Sequence, residues 1–319
     1  MRTCASAVTK LFAPLNEQCC KHHVSQPALG DSLEANYQIL IRPNKAWLTL
    51  EWRDLFAYRD LLWQLVLRDF TARFKQTVLG PLWFIINPLI TTVVFAVIFG
   101  RVMEASPAGI PSLLFFNAGL LAWNYFSGLL SATGNTLHGN VHLFSKVYFP
   151  RLIVPIAQVF SNLIGLAVQL FTFGLLVAYV WATDPAFSNL HFGWSLFWIP
   201  LLLLHLAILA LGCGLLLSAI TAKYRDLQNI LPFVISSLMF VTPVMWPLAT
   251  LQAKFPHGYE SFMLLNPLIS IVEAFRLSLI GVGSFSPGYY AIAVAFSVAL
   301  LLVGLALFQR TARSFVDQA

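Results

Sequence analysis

Charged residues are scarce in this sequence of 319 residues, at 10% of the chain, while 58% of the residues are hydrophobic. A soluble domain carries roughly 25% charged residues, so the composition excludes an ordinary soluble protein and indicates a chain that crosses a membrane several times. The net charge of +6 does not predict a nucleic-acid partner, because Lys and Arg orient membrane proteins through their excess on cytoplasmic loops.

Sequence features that would let the chain energise transport by itself are missing. None of the seven lysines follows a glycine, so the Gly-Lys-Ser/Thr loop that cradles ATP phosphates is absent. Ion-coupled transporters bury carboxylates in their spans, yet of the 13 acidic residues only Glu273 has an apolar setting. Arg276 follows three residues later and is placed to pair with Glu273 along a helix. A membrane protein that moves a substrate but has neither an ATP-binding loop nor ion-coupling carboxylates needs a separate subunit that supplies the energy.

Cysteine frameworks and catalytic motifs are also lacking. Three of the four cysteines precede the first apolar stretch and the fourth lies inside one, so we expect no disulfides in a cytoplasmic setting. The cluster Cys19-Cys20-Lys21-His22-His23 lacks the ligand spacing of a zinc site. No Asp-x-Asp motif occurs, which disfavours the alternative of a membrane glycosyltransferase or acyltransferase. We therefore predict a non-enzyme without catalytic, cofactor or metal residues.

Six apolar stretches are each long enough to cross the hydrocarbon layer, which takes about 20 helical residues. They cover residues 80–100, 112–134, 152–181, 196–220, 228–249 and 289–309. With both termini in the cytoplasm, 16 of the 19 Lys and Arg residues lie on the cytoplasmic side, which supports this count and orientation. The predicted fold is an all-α membrane protein with six transmembrane helices.

The chain divides into four predicted regions. These are a flexible cytoplasmic tail (1–36), a cytoplasmic region with an amphipathic interface helix (37–78), a six-span domain (79–310) and a short cytoplasmic tail (311–319). Residues 250–288, between the fifth and sixth spans, are half apolar and interrupted by proline and glycine, which indicates broken helical structure.

Residues 52–76 have helical periodicity. One side carries apolar residues, namely Leu55, Tyr58, Leu62, Leu65, Val66 and Phe70, as in an amphipathic helix. A plain membrane anchor is the alternative, but repeated Arg-Asp pairs suit a protein partner better than anionic lipid. The predicted contact residues on this helix are Arg53, Arg59, Asp60, Arg68 and Asp69.

Two short loops, 138–151 and 223–227, combine basic and aromatic residues. Orientation by charge explains the basic residues, whereas the neighbouring aromatic residues favour a docking surface. The first loop is long enough for a short helix that ends before Pro150. Its predicted contact residues are His142, Phe144, Lys146 and Tyr148.

Four segments, namely 59–89, 146–151, 224–227 and 266–276, resemble polysaccharide-export permeases of the ABC-2 type, the family that exports O-antigen, capsular polysaccharide and teichoic acid. The resemblance covers about residues 37–315. It implies a homodimer of six-span permeases bound to two copies of a separate ATPase subunit, which holds ATP and Mg. In that arrangement residues 52–76 are the interface helix and residues 138–150 the coupling helix.

The resemblance also implies short re-entrant helices on the periplasmic side within 250–288, which gate or cap the exit and contain Asn266, Pro267, Glu273 and Arg276. The expected function is the permease subunit of an ATP-driven exporter of lipid-linked polysaccharide, with O-antigen of lipopolysaccharide as the leading substrate, in the bacterial inner membrane. An ABC-2 permease for capsular polysaccharide, teichoic acid or another lipid or drug is the alternative. Expected partners are a second copy, the ATPase, membrane lipids and the lipid-linked glycan.

A pathway for such a glycan needs aromatic rings and small polar groups without strong fixed charge. Aromatic residues make up 14% of the chain, although Trp and Tyr also gather at membrane interfaces where nothing passes. The candidate channel residues are Trp83, Phe84, Trp123, Tyr125, Phe126, Phe240 and Trp246.

Overall fold

A computed structural model describes residues 56–75, 77–103, 105, 107, 109–146, 149–183, 194–224, 226–248 and 266–316. These residues belong to one compact unit, Ala46–Ala319. The predicted N-terminal tail with its Cys19–His23 cluster, the predicted contact residues Arg53 and Tyr148, and the stretch 250–265 lie outside the described residues.

The described part of the chain is helical and contains no strand, which confirms the all-α fold class. The α-helices are α1 Arg59–Phe74, α2 Trp83–Phe95, α3 Ser112–Gly134, α4 Thr136–Gly139, α5 Val141–Lys146, α6 Ile153–Thr183, α7 Ile199–Lys223, α8 Leu227–Val241, α9 Pro267–Ile280 and α10 Pro287–Val316. Short 3-10 helices, Gly80–Leu82 and Trp194–Trp198, lead into α2 and α7, and a π-helix, Ala96–Val102, extends α2.

Five helical stretches among the described residues are long and apolar enough to cross a membrane. They are Gly80–Val102, Ser112–Gly134, Ile153–Thr183, Ser195–Lys223 and Pro287–Ala312, and they agree with five of the six predicted spans. In place of the remaining span, 228–249, the structure has α8. This helix has 15 residues and a length of roughly 22 Å, less than the hydrocarbon layer of about 30 Å. The six-span count is therefore not confirmed.

Helix α3 lies at the centre of the bundle. In its most apolar window 78% of the residues are buried, against 11% for the stretch Gly80–Val102. It packs against α2, α6, α7 and α9, so its side chains are enclosed on most sides. By contrast, α2, α6 and α10 turn large apolar faces outward, as expected for helices that meet lipid or another chain.

Helix α9 is the short helix that precedes the last span. Asn266 caps its first turn, since the Asn266 side chain accepts a hydrogen bond from the Leu268 amide at 3.1 Å, and Pro267 occupies the first helical position. Gly281 ends the helix in the left-handed conformation, with φ of 71°, which glycine adopts without steric cost. A broken helical region before the last span is therefore present, while its re-entrant path stays a prediction.

Helices α7 and α10 cross so closely that glycine is required at the contact. A Cβ atom at Gly212 would lie 2.7 Å from the backbone nitrogen of Leu301, and one at Gly304 would lie 2.5 Å from the Gly212 carbonyl oxygen. The atoms in the way belong to the backbone, which does not swing aside as a side chain does. Small residues at helix contacts are typical of membrane bundles, whose stability rests on close packing.

We expect Gly212→Val to push α7 and α10 apart and to destabilise the bundle by about 1–3 kcal/mol, as other overpacking substitutions do. Thermal unfolding in detergent should register this as a lower midpoint. Gly174→Val is the matched control, because Gly174 lies on α6 with no atom within 4 Å of a built Cβ. Equal melting of the two variants would contradict the packing argument.

Candidate functional site

Helix α1 is held against α6 by a ladder of polar side chains. The Gln158 amide donates a hydrogen bond to Asp69 at 2.7 Å, and the Arg73 guanidinium donates to the Asn162 side chain at 3.2 Å. Asp69 also pairs with Arg68 at 2.8 Å. Partial desolvation lowers the pKa of Arg73 from its ordinary value, and the nearby Asp69 carboxylate opposes that shift. Two charged residues of α1, Asp69 and Arg73, therefore have partners on α6.

Apolar contacts complete the attachment of α1. Leu65 and Val66 are buried, and the Phe70 ring stacks on Phe84 of α2 with 6.0 Å between ring centroids. The Phe84 ring fits against α6 at Gly165, where a Cβ atom would lie 2.7 Å from it. The predicted apolar side of α1 is thus confirmed at Leu65 and Val66, whereas Tyr58 is exposed and Leu55 lies outside the described residues.

The outer face of α1 carries apolar side chains that the sequence analysis did not single out. Trp63 is 56% exposed and Leu67 45%, and their spacing of four residues places them on one helix face. Phe56, just before α1, is 75% exposed. Arg59 and Asp60, two predicted contact residues, are highly exposed close by. An exposed Trp beside charged residues is typical of a protein contact. The signal of this face in the sequence was the helical spacing between Trp63 and Leu67.

The loop between α3 and α6 forms the short helix α5, which confirms the helix predicted there. His142 on this helix is exposed. Phe144 is buried instead of exposed, because its ring stacks on Phe149 with centroids 5.7 Å apart. Lys146 ends α5, and its side chain lies outside the described part of the structure. Of the predicted contact residues whose side chains the structure describes in this loop, His142 is exposed and Phe144 is not.

Buried side chains from α1, from the segment between α3 and α6, and from three long helices meet at this end of the molecule. We call them the α1-end cluster; it comprises Leu65, Val66, Leu137, Phe144, Phe149, Ile153, Val154, Ala157, Leu215, Phe308 and Ala312. Polar contacts secure the loop around it: His138 Nε2 lies 3.0 Å from the Thr221 carbonyl oxygen, and Arg151 donates to the Ala312 carbonyl. The cluster thus connects α1 and α5 directly to α6, α7 and α10.

The amide ladder predicts how firmly α1 is attached. Gln158→Leu removes the α6 donor to Asp69 and leaves a shielded carboxylate short of one hydrogen bond, at a cost of about 1–3 kcal/mol. We expect backbone amides of α1 to exchange with deuterium about tenfold faster, since 1.4 kcal/mol corresponds to that factor. Gln64→Leu changes an exposed glutamine on α1 itself and should leave exchange unchanged. Equal exchange in both variants would argue against the ladder.

At the opposite end of the bundle, α9 carries a buried ion pair. Arg276 is fully buried and its Nη1 atom lies 3.2 Å from the Glu273 carboxylate, as the spacing predicted. The second guanidinium nitrogen donates to the Val244 carbonyl oxygen at 2.6 Å. The group lies over the Phe115 ring, 4.0 Å from its centroid. Glu273 in turn accepts a hydrogen bond from the Ser284 amide at 3.1 Å.

Two glycines make room for this pair. A Cβ atom at Gly119 of α3 would lie 2.6 Å from the Arg276 guanidinium, and one at Gly283 would lie 2.6 Å from the Glu273 carbonyl oxygen. The pair therefore ties α9 to α3, to the turn after α8 and to the loop before α10. Asn266 and Pro267, the other predicted gate residues, form the start of α9. All four lie on one structural unit.

The ion pair predicts a double-mutant signature. Arg276→Met leaves Glu273 buried without its counterion, which costs about 3–5 kcal/mol for a buried pair. Glu273→Gln should be costly for the same reason, and the double variant should lose less than the sum of the two. Thermal unfolding of the three variants measures the coupling, with Arg101→Met, an exposed arginine, as control. Strict additivity would contradict a direct interaction.

The predicted channel residues occupy different surroundings. Trp123, Tyr125 and Phe126 are buried within α3, and the Trp123 and Phe126 rings lie 5.9 Å apart. By contrast, Trp83 and Phe240 are exposed. The remaining two are partly buried: Phe84 of α2, whose ring lies against α6, and Trp246, which donates to the Phe240 carbonyl at 3.4 Å.

Five apolar helical stretches long enough to cross a membrane, with a charged helix packed against them, are the architecture of a polytopic membrane protein. Residues 60–280 match the ABC-2 type transporter family. The chain belongs to this family and is thereby the membrane subunit of an ABC transporter.

Similar proteins share most of their length with this chain. The O-antigen export system permease protein RfbA of Myxococcus xanthus is 30% identical over 225 residues, which cover 70% of this chain and 82% of that protein. RfbA of Klebsiella pneumoniae is 28% identical over a segment that covers 81% of this chain and 94% of that protein. The polysialic acid transport protein KpsM of Escherichia coli is also 28% identical, over a segment that covers 77% of this chain and 91% of that protein.

Proposed function

We propose that this chain is the permease subunit of an ATP-driven exporter of lipid-linked polysaccharide in the bacterial inner membrane, with O-antigen as the substrate. The observation that carries the proposal is the 30% identity to an O-antigen export permease over 70% of the chain. The bundle is compatible with this role, because the buried charges of Glu273 and Arg276 pair with each other and the partly buried Asp69 pairs with Arg68.

The α1 end is the proposed docking surface for a separate ATPase subunit, which binds ATP and Mg. Support comes from the exposed residues Arg59, Asp60 and Trp63 on α1 and His142 on α5. In this proposal the α1 end faces the cytoplasm, in line with its basic residues. The α1-end cluster would then pass movement of the ATPase to the long helices.

The functional unit is proposed to be a homodimer with two ATPase copies. Support comes from α2, whose outward apolar residues such as Ile90, Val93 and Val97 are about half exposed in a single chain. A second copy seated on such a face would bury them and form a path at the seam. In this arrangement the buried Arg276 pair fixes α9 at the periplasmic exit, where it gates or caps the path.

Capsular polysaccharide is the second candidate substrate. The similarity to KpsM, at 28% identity, is close to that shared with RfbA of Klebsiella pneumoniae, also at 28%. Both substrate classes are long glycans on a lipid anchor, so the permease body is expected to serve either. The distinction rests on the glycan that accumulates when the chain is removed.

Deletion of the chain tests the function directly. We expect cells without it to accumulate lipid-linked polysaccharide on the cytoplasmic face, because synthesis continues while export stops, and to lose the corresponding surface glycan. Glycan analysis of inner-membrane lipids, before and after re-expression of the chain, gives the identity of the cargo. Unchanged surface glycan and no accumulation of any lipid-linked glycan would refute the proposal.

The docking surface gives a second test. Arg59→Glu combined with Trp63→Ala should weaken co-purification of the ATPase subunit severalfold and reduce export in proportion, since both exposed side chains are lost from the contact. Arg101→Glu is the matched control, because Arg101 is exposed at the other end of the first span. Normal ATPase binding by the double variant, with insertion intact, would exclude this face as the contact.

A further inference from the structure

A cavity of about 330 Å³ lies beside the central helix, between α7, α8, α9 and α10. Phe126 of α3 forms its base and is only 1% exposed. Its outer walls come from Val241 of α8 and Phe296 of α10, which are 43% and 48% exposed. The cavity therefore opens to the surface of the bundle between α8 and α10.

The position of the cavity along the spans places it deep in the membrane. Leu209 and Cys213, which line it, lie near the middle of the stretch Ser195–Lys223, and Phe126 lies near the middle of Ser112–Gly134. The centre of a membrane-spanning helix lies within the hydrocarbon layer, which is about 30 Å thick. The opening between α8 and α10 consequently faces hydrocarbon instead of water.

The residues that line the cavity offer few free hydrogen-bonding groups to a water molecule. Asn266, its most polar residue, uses its side-chain oxygen to accept from Leu268 and its side-chain amide to donate to Thr242, at 3.1 and 3.3 Å. The Thr242 hydroxyl itself donates a hydrogen bond to the Leu238 carbonyl oxygen at 2.9 Å. The rest of the lining is apolar apart from the Cys213 thiol. A buried water needs two to four polar partners, so the cavity favours a hydrocarbon occupant.

We propose that the cavity binds one acyl chain of a bilayer phospholipid, which enters between α8 and α10. Acyl chains are the apolar groups present at this depth in every bilayer. An apolar cavity of about 150 Å³ holds benzene, so one of about 330 Å³ has room for a segment of roughly a dozen carbons. The bound chain fills the gap beside α8, the short helix that lacks the length to span the membrane. The proposal is independent of which substrate is exported.

Photo-crosslinking of the full-length protein tests this site. The protein is placed in vesicles of phosphatidylethanolamine and phosphatidylglycerol containing a phospholipid with a diazirine at mid-chain, and adducts are mapped by mass spectrometry. We expect adducts on the Leu209–Cys213 and Leu238–Val241 segments. Cys213→Trp should reduce them severalfold by filling the cavity, and Leu238→Phe, a milder change, should reduce them less. Leu204→Trp, on the exposed side of α7, should leave them unchanged.

A parallel reaction uses polyprenyl phosphate with a diazirine in its tail, which separates a bilayer lipid from an isoprenoid occupant. Adducts from polyprenyl phosphate alone would overturn the proposal. So would phospholipid adducts that are as abundant in Cys213→Trp and Leu238→Phe as in the unchanged protein. Labelling of exposed residues such as Phe171 without any adduct at the cavity would also overturn it. Should Cys213→Trp fail to fold, the Leu238→Phe comparison decides.

Discussion

The structure depends on one constraint: polar groups shielded from water between the helices must be paired within the protein, because burial removes their hydrogen bonds to water. Asp69 and Arg73 meet this constraint by bonding to Gln158 and Asn162, and that pairing fixes α1 against α6. Arg276 meets it through Glu273 and the Val244 carbonyl, which fixes α9 at the other end. Both attachments are directional, so the two short helices have defined positions on the bundle.

Between these polar attachments, the bundle relies on shape. Glycine allows α7 to approach α10 and provides the space on α3 that the Arg276 guanidinium fills. Because hydrophobic burial gives little advantage to helices already in lipid, such close contacts carry much of the packing energy. The cavity beside α8 is the place where this close packing is incomplete, and a lipid chain is the filler that the surroundings supply.

The two ends of the molecule differ in what they expose. The α1 end offers Arg59, Asp60, Trp63 and His142 around a buried apolar cluster, which suits a surface that receives a partner's movement. The Arg276 end buries its charges, which suits a fixed element. A transporter driven from one side needs both properties: a surface that moves with its partner subunit, and a rigid part of the bundle that stays in place.

The sequence by itself determined the all-α class, five of the spans, the short helix in the 138–151 loop and the Glu273–Arg276 pair, because composition, length and helical spacing act locally. It did not decide which side chains face outward. Phe144 resembled a surface aromatic residue yet packs on Phe149, and Trp63 is exposed although the predicted contact residues did not include it. The partners of Asp69 and Arg73 lie 89 residues away in the chain. Only the packing of α1, α6 and their neighbours decides such contacts, since burial is a property of the assembled helices.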